Sequence, residues 1–148
     1  MKHLSLALAM LVLSATVAAA EEITWSQQIK PIVDARCVAC HGADAPEYAA
    51  FKKEKEAWLA KETGPRMDTY SHLIYYTGWP DTGALMRRLD DGTGKADQKP
   101  GNMYQHLGDS DAERQASLTL FKAWVGNWTH KRFDALTKDD LAAIKIPY

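Results

Sequence analysis

The sequence predicts an all-α fold. Three observations point that way. Residues 110–126 read as a capped amphipathic helix, residues 24–33 place apolar side chains at helical spacing, and no run shows the alternation that demands a strand. At 148 residues, the chain has the length of a single domain.

The elements follow in chain order. Residues 1–20 begin with a positive charge at Lys2, continue as an apolar run from Leu4 to Val17, and close on Ala18, Ala19 and Ala20 before Glu21. A charged start, an apolar middle and a small-residue end make a secretory signal peptide. The run is shorter than the roughly 20 apolar residues a membrane span requires, and no cysteine follows the alanines to take a lipid. The expected mature chain therefore starts near Glu21 and is periplasmic. Thr24, with Gln27 three residues on, has the capping-box pattern. Trp25, Ile29, Ile32 and Val33 then recur at helical spacing, which predicts a short helix running into Cys37. Pro31 either kinks that helix or marks its true start.

Residues 46–61 mix apolar and charged side chains at helical spacing, with Tyr48, Phe51 and Trp58 as apolar points. Residues 67–76 and 82–89 are further helical stretches. Gly64-Pro65, Gly78-Trp79-Pro80 and Gly92-Thr93-Gly94 break these pieces apart. Residues 95–102 are polar, contain Pro100-Gly101, and read as a loop. The helix that follows has a second capping box at Ser110 and Glu113. Asp109, Asp111 and Glu113 put negative charge where the helix dipole favours it. Leu120, Phe121, Trp124 and Val125 form its apolar face, and Gly126 stops it. We expect a domain over residues 21–128 and an extension over 129–148, a short capped helix with an apolar end that packs on the domain or on a partner.

Composition excludes some partners. Once Lys2 leaves with the signal segment, 17 of the 18 Lys and Arg remain against 19 Asp and Glu. No basic stripe or basic tail is present, so nucleic acid is not an expected partner. No second apolar stretch is long enough to span a membrane.

The chemistry lies in Arg36-Cys37-Val38-Ala39-Cys40-His41-Gly42. Cys-x-x-Cys-His is the c-type haem attachment pattern. Two intervening residues let one helical turn present both sulfurs to one porphyrin edge, where they add to the vinyl groups. The next residue then aims a neutral imidazole at the iron. A thioredoxin-like pair would sit beside a βαβ pattern, which the chain lacks. Zinc would need four ligands, and Cys37, Cys40 and His41 supply three, two of them adjacent. A plain disulfide over so small a loop would stabilise little. The expected cofactor is one covalent haem c on Cys37 and Cys40, with His41 as proximal iron ligand. For the other face of the iron the chain offers Met67, Met86, Met103, His72, His106 and His130. Met86 lies in an apolar helical pattern and reads as core, a common place for methionine. Met67 opens a helix beside Arg66. His72 reads as packed or surface, His130 as solvated in the Lys131-Arg132 tail, and His106 lies close to Met103.

Three features, in this order, resemble the single-haem cytochrome c family of class I. They are Cys37-Val38-Ala39-Cys40-His41 after an N-terminal helix, Asn102-Met103 in a loop, and the helix over 111–128 containing Ala123-Trp124-Val125. The resemblance covers roughly residues 25–128. It implies a helical fold wrapped around one haem, with the first and last helices crossing. It also implies Met103 as distal iron ligand, although Tyr104 stands where that family often has proline. The implied activity is electron transfer with redox partner proteins by cycling between Fe(III) and Fe(II), with no catalytic residue. A tryptophan donating to a haem propionate is also implied, with Trp79 as its candidate, and the five tryptophans are expected to pack the core and the haem walls. The long middle segment and the tail leave a haem-bearing subunit of a larger periplasmic oxidoreductase as an alternative. A five-coordinate haem enzyme or gas sensor is a third.

Overall fold

The computed structural model describes residues 21–148; the expected signal segment lies outside them. Among the described residues every regular element is helical, as expected, and one isolated antiparallel bridge joins Gly126 to Ile144. The α-helices are α1 (Lys30–Arg36), α2 (Val38–His41), α3 (Tyr48–Lys53), α4 (Lys55–Leu59), α5 (Tyr70–Tyr75), α6 (Ala84–Leu89), α7 (Asp111–Val125) and α8 (Lys138–Ala142). A π-helical turn, Trp25–Ile29, leads into α1, and short 3-10 turns occupy Tyr104–Leu107 and Phe133–Ala135.

The first helix begins one turn later than the apolar spacing suggests. Thr24 Oγ1 accepts from the Gln27 amide at 3.3 Å. The return bond comes from Gln28 instead of Gln27, with the Thr24 amide donating to Gln28 Oε1 at 2.8 Å. The wide first turn explains the one-residue shift, since the Ile29 amide reaches back to the Thr24 carbonyl. Pro31 falls at the start of α1, where a missing N–H leaves no bond broken. The stretch 46–61 is two short helices, because Glu54 leaves helical geometry at φ −125° and ψ 35°. The clearest predicted helix, α7, is capped as expected by Ser110, which accepts from the Glu113 amide at 3.2 Å. The Glu113 carboxylate accepts from the Asp109 amide at 2.7 Å. Its buried side chains are Leu118, Phe121, Trp124 and Val125.

The core forms where the N-terminal segment meets α7. Trp25, Ile29 and Val33 pack with Leu118, Phe121, Trp124 and Val125, joined by Leu73, Leu85, Met86, Leu89 and Leu107. The Trp25 and Trp124 rings stand 6.3 Å apart, and the Tyr104–Leu107 turn contacts α7, α6 and α1.

The tail comes back over this junction. After α8, whose Thr137–Asp140 capping box is complete, the Lys145 and Ile146 amides donate to the carbonyls of Val125 (2.9 Å) and Trp124 (3.0 Å). The Pro147 carbonyl accepts from both the Trp25 amide (2.9 Å) and Trp124 Nε1 (2.8 Å). The Tyr148 carbonyl accepts from the Ser26 amide at 2.9 Å. Donors at the start of one helical segment and acceptors at the end of another, which no intrahelical bond can satisfy, are thus paired by one strap. Deleting residues 145–148 is expected to cost about 3–5 kcal/mol of stability, at roughly 1 kcal/mol per lost bond. Urea unfolding would measure this, and an unchanged midpoint would mean that the strap contributes nothing.

Candidate functional site

Cys37 caps α1, its amide bonded to the Val33 carbonyl at 2.9 Å. The next turn is α2, closed by the Cys40 and His41 amides donating to the Cys37 carbonyl at 3.2 and 2.9 Å. A four-residue helix fused to the end of a longer one thus carries both thiols and the imidazole. Cys37 is half-buried against the core and Cys40 is exposed. Burial, with a contribution from Cys40, pushes the Cys37 thiol up to about 11.

The loop over residues 63–67 holds the far side of this turn. The Gly64 amide donates to the Cys40 carbonyl and the Met67 amide to the His41 carbonyl, each at 2.9 Å. These two acceptors are the orphan carbonyls that a helix end leaves. His41 Nδ1 lies 2.6 Å from the Pro65 carbonyl. A carbonyl only accepts, so Nδ1 carries the hydrogen and the Nε2 lone pair is left free. The ring rests on Gly64: a Cβ there would stand 2.6 Å from His41 Nδ1 and 2.9 Å from Nε2. Burial lowers the proton affinity of this imidazole, the His106 charge adds to the lowering, and the Pro65 bond opposes it. A neutral imidazole, oriented by a carbonyl that accepts from its other nitrogen, is what a metal ligand needs.

These residues fit the group that the motif implies. Two thiols lie on one turn beside an imidazole whose ligating nitrogen is free, and a glycine cradle keeps the ring in place. Trp58 Nε1, near the end of α4, is a buried donor with no acceptor among the described residues.

The candidates for the second ligand lie on several elements. Met103 is half-buried at the start of the Tyr104–Leu107 turn, and its amide donates to the Arg88 carbonyl at 3.0 Å. His106, one turn on, is exposed and 3.2 Å from Gln105. Met86 is 0% exposed in the core. Met67 is tied by its backbone to the His41 turn. His72 lies between Glu47 (3.1 Å) and Asp68 (3.3 Å). His130 is not the solvated residue expected: it is half-buried, 2.9 Å from the buried carboxylate of Asp90.

Trp79 lies outside the apolar core. It is 61% exposed and stacks edge-to-face on Phe133 at 5.3 Å. The Gly78-Trp79-Pro80 turn carries it to the surface, so it forms no part of the core. The indoles of Trp124 and Trp128 donate to Pro147 and Asp90. Arg66 pairs with Asp68 through two bonds, at 2.8 and 3.2 Å. Sequence reading treated Gly64-Pro65 only as a break. Its use as the cradle and acceptor for His41 depends on a contact 24 residues away in the chain, for which no local pattern exists.

The chain matches the model of the PccH cytochrome c family over residues 24–148, a span that takes in the tail. It is similar to the solved structure of the monoheme cytochrome PccH from Geobacter sulfurreducens, at 64% identity and a TM-score of 0.82, with 86% of this chain and 100% of that one covered. No curated protein matches it.

Proposed function

The chain belongs to the PccH cytochrome c family, and we propose that in it Cys37 and Cys40 hold the haem through thioethers while His41 and Met103 take the two axial positions of the iron. As a monohaem c-type cytochrome it carries one covalent haem c and serves as an electron carrier, with redox proteins as its partners. When bound, that group supplies a one-electron Fe(III)/Fe(II) couple. The chain's own residues supply attachment, orientation and exclusion of water.

The observation that carries the assignment is the Nδ1 contact of His41 with Pro65. It sets the tautomer and aims Nε2 from the same turn that bears both thiols. Met103 is supported by its place in the loop before α7, half-buried and tethered to α6. Met67 is bonded to the proximal side and Met86 is enclosed in the core. A thioether opposite an imidazole favours the reduced iron and raises the potential relative to two imidazoles. We place the carrier in the periplasm, on the strength of the signal-like residues 1–20 and of covalent haem attachment. The tail's bonds to its own helices favour a free carrier over a subunit. Among the described residues no helix is long and apolar enough to cross a membrane.

Two substitutions test the ligand set. Cys40→Ala is expected to give the haemochrome spectrum of a single thioether. Met103→Ala is expected to abolish the thioether-to-iron charge-transfer band of the ferric protein and to open the ferrous iron to carbon monoxide. An unchanged spectrum in Met103→Ala would place the ligand elsewhere, with His106→Ala the next variant to measure.

A further inference from the structure

Asp90 is 2% exposed, and its carboxylate is shared by two segments of the chain. Oδ1 accepts from the Gly92 amide at 2.8 Å, inside the loop that follows α6. Oδ2 accepts from Trp128 Nε1 at 2.8 Å, in the segment after α7. His130 Nε2 lies 2.9 Å from the same oxygen. The Asp90 carbonyl also accepts from the Gly101 amide at 2.7 Å. Burial alone would raise this carboxyl. The bonds from Trp128 and Gly92 and the His130 charge outweigh it and hold the group below the usual carboxylate range.

Two of these bonds fall on one loop, the one that leaves α6 and returns as Met103: the carboxylate holds Gly92 at its start and the backbone carbonyl holds Gly101 near its end. At its far end the Met103 amide donates to the Arg88 carbonyl (3.0 Å) and Arg88 Nη1 to Asn102 Oδ1 (2.8 Å). Gly101 lies so close to α6 that a Cβ would stand 2.6 Å from the Arg87 carbonyl. Between its ends the loop is polar and exposed, with few apolar contacts to fix it. Its geometry is therefore set at the end of α6. There a buried negative charge ties α6 and the base of the loop to the chain that leaves α7.

From this geometry we infer that Asp90 is the positioning residue for Met103: its buried carboxylate locks the 91–103 loop between α6 and the Trp128–His130 segment and so sets the distal ligand. The inference rests on Met103 being that ligand. Asp90→Asn keeps the shape but presents an amide N–H₂ to a cluster made of donors, leaving one of them without an acceptor.

The expected result for holo Asp90→Asn is a weakened thioether-to-iron charge-transfer band, a lower reduction potential, and carbon monoxide binding to the ferrous protein about tenfold faster. That factor corresponds to about 1.4 kcal/mol in loop opening. The far-UV dichroism would stay unchanged. Trp128→Phe removes one donor and leaves the charge, so it folds more readily and is expected to shift all three readouts in the same direction by less. A loss of stability alone would move none of them below the unfolding transition. If Met103→Ala loses the band while Asp90→Asn and Trp128→Phe keep wild-type band, potential and binding rate, the inference is overturned and the Met103 assignment stands. If the wild-type protein has no thioether band, the Met103 assignment fails and this inference falls with it.

Discussion

Gly64→Ala is expected to displace His41 and cost about 2–4 kcal/mol of stability, the sum of an overpacking strain of ~1–3 kcal/mol and one lost hydrogen bond of ~1 kcal/mol. The added methyl would stand 2.6 Å from Nδ1 and 2.9 Å from Nε2, well inside van der Waals contact. Two adjustments are open, and each is unfavourable. Swinging the imidazole away breaks its bond to the Pro65 carbonyl, and with it the tautomer and the aim of Nε2. Moving the loop away breaks the bonds from Gly64 to Cys40 and from Met67 to His41. Those bonds satisfy the end of α2, so the turn bearing both thiols would fray. Either route alters the proximal ligand while leaving Cys37, Cys40 and His41 in the sequence. The measurements are the urea midpoint of the purified protein and its ferric and ferrous absorption spectra, which are expected to lose low-spin character. A wild-type spectrum with a wild-type midpoint would show that the close approach of Gly64 to the ring does no work.

Features that depend on neighbours three or four residues apart were legible in the sequence. The Ser110–Glu113 pattern set the start of α7, because capping is a contact within one turn. The Cys37–Cys40–His41 spacing placed three groups on one helical turn for the same reason. Met86 was read as core from a local apolar period and is fully enclosed. Contacts between distant segments leave no such period. The Pro65 carbonyl that orients His41, the Asp90 carboxylate that meets Trp128 38 residues away, and the return of residues 145–148 across the helix junction are invisible to periodicity. His130 was misjudged on that account: its neighbours in sequence are Lys131 and Arg132, but its neighbour in space is a buried acid. Trp79 is carried to the surface by a tight turn, a placement that aromatic character alone does not encode.

The strap and the helix junction are expected to act as a single unit, and Trp124 is where this can be measured. Its side chain is 0% exposed, lies 6.3 Å from Trp25 and 6.4 Å from Phe121 ring to ring, and donates to the Pro147 carbonyl at 2.8 Å. Trp124→Ala removes that packing and leaves a cavity where the N-terminal segment meets α7, at an expected cost of ~3–5 kcal/mol for an aromatic-to-alanine change in a core. Against total stabilities of ~5–15 kcal/mol, this is a large fraction of what holds the fold together. Trp124→Phe keeps most of the packing and deletes the indole donor, so the Pro147 carbonyl retains only the Trp25 amide. That change is expected to cost about 1–2 kcal/mol in the full-length chain, from the lost bond and the smaller ring. In a chain lacking residues 145–148 its acceptor is already gone, so only the packing part remains. The two perturbations together should therefore cost less than the sum of each alone, by about 1 kcal/mol, because they remove the same bond. Urea unfolding of the four proteins in this cycle measures the coupling. Strict additivity would mean that the tail and the helix junction stabilise the fold independently.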